Sequence, residues 1–351
     1  MKTEIIKFKG NAKDKIYLKK ISDTLREGGL VVLPTETVYG LGGNGLNKRA
    51  CKKIYEAKGR PSDNPLILHI AENSQLDPLV AEIPEVAKKC MEKFWPGPLT
   101  IIFKRSDLIP DEATGGLETV AIREPSNEIA HAILKAVDFP VAAPSANLSG
   151  RPSPTKVEHV IEDLNGRVDI IVDGGHSVVG IESTVLDVTV DPPMILRPGK
   201  ITLEDLREID ENIRIDNATI DAKSGEIPKS PGQKYRHYAP RAEAICFGGR
   251  LDKVVNEIKK NIEESKDKKI AVLATDETYD EYKNLDIKLL INLGSRDHLE
   301  EVAANLFDAL RRCDDENVDI IFAEGFELRG IGLSIMNRLL KACSGKVVMR
   351  I

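Results

Sequence analysis

The sequence predicts an α/β protein of two domains. Three observations carry this. The chain has 351 residues, more than one core of ordinary size requires. Short apolar runs alternate with helical periodicities. An aperiodic stretch at 213–241 separates two series of such elements. In chain order, Leu18, Ile21 and Leu25 share a helical face that Gly28-Gly29 ends. Residues 30–33 read as a buried strand stopped by Pro34. Ala50, Ile54 and Ala57 mark a helix closing at Lys58-Gly59-Arg60-Pro61, and strands follow at 66–70, 99–103, 120–122, 141–143 and 170–172. Thr155-Lys156-Val157-Glu158 has the form of a capping box, so a helix is expected from Thr155. Residues 183–190 alternate as a half-exposed strand does. The stretch 213–241 holds Pro228, Pro231, Gly232 and Pro240 among polar residues and reads as a linker, long enough to suggest a role beyond connection. Beyond it, strands are expected at 243–247, 270–274, 288–292, 318–323 and 346–350, with helices at 251–264, 297–312 and 333–342, the βαβ pattern of a small parallel sheet. The expected division is 1–212, 213–241 and 242–351.

Composition narrows the class. Hydrophobic residues make up 41% and charged residues 30%, which fits a soluble globular chain with ample core. No apolar run approaches the roughly 18 residues of a membrane span. The first residues lack a signal-peptide core. The five cysteines are scattered without a CxxC pair, which speaks against a disulfide framework or zinc ribbon and for a reducing cytoplasm. Net charge is -6, yet 213–241 holds six basic and three acidic side chains. Such a connector suits an anion such as a nucleotide and is no polybasic nucleic-acid arm.

Known phosphate loops are absent: Gly199-Lys200 and Gly345-Lys346 lack the Walker spacing, and no GxGxxG occurs. Polar clusters instead follow apolar strands, where open α/β sheets build their sites. Pro34-Thr35-Glu36-Thr37-Val38-Tyr39-Gly40-Leu41 is either a hydroxyl-satisfied turn or part of a site. In Lys58-Gly59-Arg60-Pro61-Ser62-Asp63-Asn64-Pro65, two cations at a helix end suit either the helix dipole or a phosphate clamp. Ala142-Ala143-Pro144-Ser145-Ala146-Asn147-Leu148-Ser149-Gly150-Arg151-Pro152-Ser153 is either a polar loop after a strand or a site offering hydroxyl and amide partners beside small residues that admit a ligand to the backbone; it lacks a nucleophile elbow. Arg123, Ser183 and Arg197 stand beside strands, where a lone surface pair or cap is the ordinary reading. His69 sits in an apolar strand, as a satisfied core histidine does. No histidine spacing suggests a protein-built zinc site. Lys234-Tyr235-Arg236-His237-Tyr238 interleaves cations with aromatics, suited to an anionic ligand with an aromatic face or to a solvated tether.

Taken together, these stretches resemble the Sua5/YrdC/YciO family in its longer Sua5 type. The likeness rests on the clusters from Pro34 and Lys58, on Phe94-Trp95-Pro96-Gly97-Pro98-Leu99-Thr100, on Ser145-Ala146-Asn147, on Arg197-Pro198-Gly199 and on the stretch from Ser230 to Pro240, and it spans the chain. The resemblance implies a YrdC-like mixed twisted sheet around a cavity, a smaller Rossmann-like C-terminal domain, and a linker lying over the active site. It implies an L-threonylcarbamoyladenylate synthase, a nucleotidyltransferase acting on L-threonine, bicarbonate or CO2, and ATP with Mg2+. The product would pass to a tRNA threonylcarbamoyl transferase for modification of adenosine 37. By the same resemblance, Thr35, His69, Arg123, Ala143 and Ser183 form the threonine pocket. Lys58, Arg60, Asn64, Thr119, Ser145, Asn147, Ser153, Arg197 and Tyr235 form the ATP side, with Lys58 and Arg60 catalytic and no metal ligand assigned to protein side chains. The alternative is an RNA-binding module without ATP turnover. A carbamoyl-transferring maturation factor is a further rival, weakened by the missing CxxC.

Overall fold

The computed structural model describes residues 2–9, 13–216 and 237–350, with only the backbone of Arg350. They divide into two compact units, one within 1–149 and 153–234, the other within 150–152 and 235–351.

In the first unit the elements are β1 (Glu4–Lys7), α1 (Lys13–Arg26), β2 (Val31–Leu33), β3 (Gly40–Asn44), α2 (Lys48–Lys58), β4 (Ile67–His69), α3 (Glu85–Phe94), β5 (Leu99–Lys104), α4 (Asp111–Thr114), β6 (Thr119–Arg123), α5 (Glu128–Lys135), β7 (Val141–Ala142), α6 (Val157–Leu164), β8 (Ile170–Asp173), β9 (Thr184–Asp187), β10 (Met194–Arg197), α7 (Leu203–Arg207) and β11 (Arg214–Ile215). The strands form one mixed sheet in the order β1-β8-β2-β3-β7-β4-β6-β5-β9-β10-β11. β2 shows how it is buried. Leu30 and Val32 join the apolar cluster that includes Ile54 of α2 and Cys90 of α3. Val31 and Leu33 join the opposite cluster with Ile21 and Leu25 of α1 and Ile133 of α5. A strand covered on both faces reads as a continuous apolar run, which is why 30–33 was legible.

β3 has no apolar run to announce it, because its sequence is Gly-Leu-Gly-Gly-Asn. The glycines answer a packing demand: a Cβ on Gly42 would lie 2.7 Å from Leu33 Cδ2 and 2.9 Å from the Val31 carbonyl. β4 and β6 run parallel with His69 level with Arg123. That register delivers two expected site residues to the same end of adjacent strands.

Three local expectations need correction. α6 begins at Val157 with Lys156 as its N-cap and no side-chain cap. Thr155 stays outside; its amide donates to His159 Nδ1 at 3.3 Å, so a ring nitrogen on the helix accepts the hydrogen bond that a capping box would have directed to Glu158. β9 is buried throughout. It lies between β5 and β10, with Leu186 in one apolar cluster and Val185 in another, so its alternation does not mark exposure. Finally, Arg214 and Ile215 at the start of the expected linker form β11 alongside Met194 and Ile195, and Ile213 is fully buried. The rest of that linker through residue 236, including Tyr235, lies outside the described residues.

The second unit holds β12 (Glu243–Gly249), α8 (Leu251–Glu264), β13 (Ile270–Ala274), α9 (Tyr279–Tyr282), β14 (Leu289–Asn292), α10 (Leu299–Asp315), β15 (Ile320–Glu324), α11 (Gly330–Ala342) and β16 (Val347–Arg350). Its sheet, β14-β13-β15-β12-β16, is parallel at every pairing. Val254, Val255, Ile258 and Ile262 on one face of α8 meet Phe247, Val272 and Phe322 from the strands, the helix-on-parallel-sheet packing the βαβ pattern requires.

Candidate functional site

The site expected from the sequence falls entirely in the first unit, apart from Tyr235. Its residues form three hydrogen-bonded groups.

The first surrounds Arg123, at the end of β6 and buried to 4% exposure. Its Nε donates to the Gly97 carbonyl (3.1 Å), one terminal nitrogen donates to Thr37 Oγ1 (2.8 Å), and the other donates to Glu36 Oε1 (2.5 Å). Thr37 Oγ1 lies 2.9 Å from Thr35 Oγ1, which donates to the Val38 carbonyl at 2.6 Å. Thr35 and Arg123, 88 positions apart, are thus joined through Thr37. The geometry adds to the expectation for Arg123: its guanidinium already faces a carboxylate of the chain itself. Burial would raise the Glu36 carboxyl, but the charge and hydrogen bond of Arg123 outweigh it and hold the group below its ordinary value. The amides of Glu36 and Ser126 favour the charge as well.

His69 is buried beside this group, and its Nδ1 donates to the Ile67 carbonyl at 3.2 Å. Desolvation first, and the Arg123 charge second, push its pKa down to about 3, so the ring is neutral at physiological pH. Ala143 is tied to the same strand, its amide donating to the Ile67 carbonyl, and its methyl would meet a Cβ on Gly40 at 3.1 Å.

The second group is built on Lys58 and Arg60. Asn47 caps α2 by accepting from the amides of Arg49 and Ala50, and Gly59 closes the helix in the left-handed region at φ 60°. Lys58 is the last residue of that helix. Its Nζ donates to the carbonyls of Ser145 and Asn147, and the residue is 2% exposed. Arg60 donates to the carbonyls of Asn64 (3.2 Å) and Pro65 (3.0 Å). The Oδ1 of Asn64 is buried without a hydrogen-bond partner among the described residues. By continuation of the Ile67–Ala121 register, Thr119 lies level with Pro65, at the opposite end of β6 from Arg123.

The third group joins Ser183 to Arg197. Arg197 donates through Nε to the Ser183 carbonyl (3.0 Å) and through a terminal nitrogen to its Oγ (3.1 Å). That Oγ lies 2.7 Å from Thr100 Oγ1. The structure therefore sets Ser183, expected on the threonine side, directly against Arg197, expected on the ATP side. Ser153 donates to Glu182, the neighbour of Ser183.

Sequence reasoning left Glu36, Thr37, Thr100 and Glu182 out of the site. For Glu36 a signal existed: a charged residue between two threonines directly after a buried strand must find a cation. A surface groove of about 1020 Å³ lies elsewhere, lined by Glu4, Lys20, Lys53, Glu56, Arg167 and Asp169 among others. It shares no residue with these groups. Two of its lysines are engaged, Lys20 with Glu4 and Lys53 with the Gly28 carbonyl.

Comparisons with known proteins agree with one another. A family profile for Sua5/YciO/YrdC, described as telomere recombination, matches residues 23–199. A second, described as the C-terminal domain of threonylcarbamoyl-AMP synthase, matches 201–344. The threonylcarbamoyl-AMP synthase of Pyrococcus abyssi is 48% identical over 92% of this chain and 93% of its own. That of Bacillus subtilis is 50% identical over 92% of both. A crystal structure of P. abyssi Sua5 complexed with L-threonine superposes with a TM-score of 0.93 at 44% identity, covering 100% of each chain.

Proposed function

The chain belongs to the Sua5/YciO/YrdC family, and from that premise we propose that it is an L-threonylcarbamoyladenylate synthase. In this reading it joins L-threonine, bicarbonate and ATP into threonylcarbamoyl-AMP and pyrophosphate, as a cytoplasmic nucleotidyltransferase. Its product goes to a transferase that modifies adenosine 37 of tRNA. The observation that carries the reading is the full-length likeness to a relative described with L-threonine bound.

The residues support the chemistry in kind. Threonine's amine takes up bicarbonate as a carbamate with loss of water. A carbamate oxygen then attacks the α-phosphorus of ATP, the bond to the bridging oxygen breaks, and pyrophosphate leaves with the electron pair. No protein nucleophile is required. What is required is positioning and neutralisation of phosphate charge. Lys58 and Arg60 supply the cations, and Ser145, Asn147, Asn64, Thr119, Ser153 and Arg197 the polar surround. On the threonine side, Arg123 takes the carboxylate, with Thr35, Ser183, the neutral ring of His69 and the backbone at Ala143 around it. Among the described residues no group of three or more His, Cys, Asp or Glu is arranged to hold a metal. In the proposed reading Mg2+ comes with the ATP, and no step is assigned to it.

The test is pyrophosphate release from ATP. Release that needs both L-threonine and bicarbonate is expected; equal release without threonine overturns the reading.

A further inference from the structure

Glu36 holds Arg123 with only one of its two oxygens. Oε1 accepts from the guanidinium, while Oε2 is buried with no hydrogen-bond partner among the described residues. The side chain is 8% exposed, so solvent does not satisfy that oxygen in bulk. The amides of Glu36 and Ser126 act on the carboxylate, yet neither reaches hydrogen-bonding geometry with Oε2. An ionised carboxylate with an unused oxygen in a buried place is costly, and such a group calls for a donor.

The surroundings narrow what that donor is. Beside Glu36 stand Arg123, Thr37 and the neutral His69. An α-amino acid is a zwitterion whose ammonium is one carbon removed from its carboxylate. With its carboxylate on Arg123, its ammonium falls within reach of an anion adjacent to that arginine. The Glu36–Arg123 pair presents opposite charges side by side, complementary to both ends of the zwitterion. An arginine alone would place the ammonium next to an uncompensated cation.

We propose that Glu36 is a positioning and specificity-determining residue whose Oε2 accepts a hydrogen bond from the α-ammonium of the amino-acid substrate, so that the site selects α-amino acids over α-hydroxy acids. This rests on the proposed function for its substrate. It assigns no proton transfer to Glu36, whose carboxyl is held too acidic to deprotonate an ammonium.

The test is a binding measurement by calorimetry on the full chain, with two probes: L-threonine and its 2-hydroxy analogue, 2,3-dihydroxybutanoate of matching configuration. The wild-type protein is expected to prefer threonine by on the order of a hundredfold, the effect of a buried charged hydrogen bond. Glu36→Gln should abolish most of that preference. It should leave the hydroxy acid's affinity unchanged or raise it, since Arg123 loses a competing anion. Glu36→Asp, which keeps the charge, should restore part of the preference. If Glu36 merely fixes Arg123, both probes weaken together in Glu36→Gln and the preference persists; that result overturns the proposal. Equal binding of both probes to the wild type overturns it without any variant. Failure of the wild type to bind threonine at all sinks the proposed function instead.

Discussion

Each unit buries a glutamate against an arginine near the carboxyl end of a strand, and the two pairs are completed differently. In the second unit Glu324, wholly buried at the end of β15, has both oxygens engaged. Tyr282 donates to Oε1 at 2.9 Å, and Thr275 (3.1 Å) and Arg296 (2.9 Å) donate to Oε2. Arg296 also donates to the Gly325 carbonyl and lies over the Phe326 ring at 4.7 Å. Every acceptor of that carboxylate is matched from within, as in a structural strut. Glu36 in the first unit is nearly as buried, but one oxygen is left without a donor. The difference teaches how to tell a pair that holds a fold from a pair that awaits a ligand: count the satisfied acceptors, since burial alone does not separate them.

The largest effect should come from the group built on Lys58 and Arg60. Lys58→Met is expected to lower pyrophosphate release by about 10²–10³, the usual result of removing one preorganised charge donor. A variant that keeps most of its turnover would mean that Lys58 only ties the Ser145 and Asn147 carbonyls together. The contrast between the two pairs is tested next by Glu324→Gln. This should cost about 3 kcal/mol of stability in urea unfolding and leave the KM for L-threonine where it was. A changed KM with little loss of stability would break the comparison. The last effect concerns acid and appears only as pH falls. His69 is protonated in the unfolded chain below its ordinary value of 6.5 but in the folded protein only near pH 3. Its burial is therefore neutral for stability above pH 6.5 and destabilising as pH falls through that window, by roughly 3 kcal/mol at pH 4. Glu36 acts in the same direction over a lower range: its depressed pKa contributes stability above its ordinary value of 4.5 that is lost as pH falls below it. Replacing His69 with Gln should flatten the decline between pH 6.5 and 4, read from chemical denaturation at each pH. An unchanged slope would show that the ring is charged in the folded state.

Much of the fold was legible because burial writes itself into apolar runs. α8 matches the sequence reading at both ends, and β13 likewise, since Val254, Ile258 and Ile262 repeat at helical spacing and Ile270–Ala274 is uninterrupted. β3 was hidden because what makes it a strand is the absence of side chains against Leu33 and Val31. β9 was misread because period two is also compatible with a strand covered on both faces. The Thr155 cap failed because His159 competes for the same amide. For the site, the sequence offered local clusters of the right chemistry, and a resemblance grouped them. The link from Glu36 through Arg123 to Gly97 was beyond it. That link depends on the antiparallel pairing of β5 with β6 and on the turn after β2, and neither leaves a mark in composition or spacing.

The burial of Lys58 has a consequence for how the protein responds to its medium. Mobile ions screen exposed charges over about 8 Å at physiological ionic strength, but a cation enclosed by protein and held on two carbonyls is reached far less. Nucleotide affinity that depends on Lys58 should therefore change little as salt is raised, whereas affinity contributed by surface lysines would fade. Titrating ATP against Lys58→Met and the wild type across a salt series separates the two kinds of attraction, because the difference between the proteins should stay constant while both curves shift.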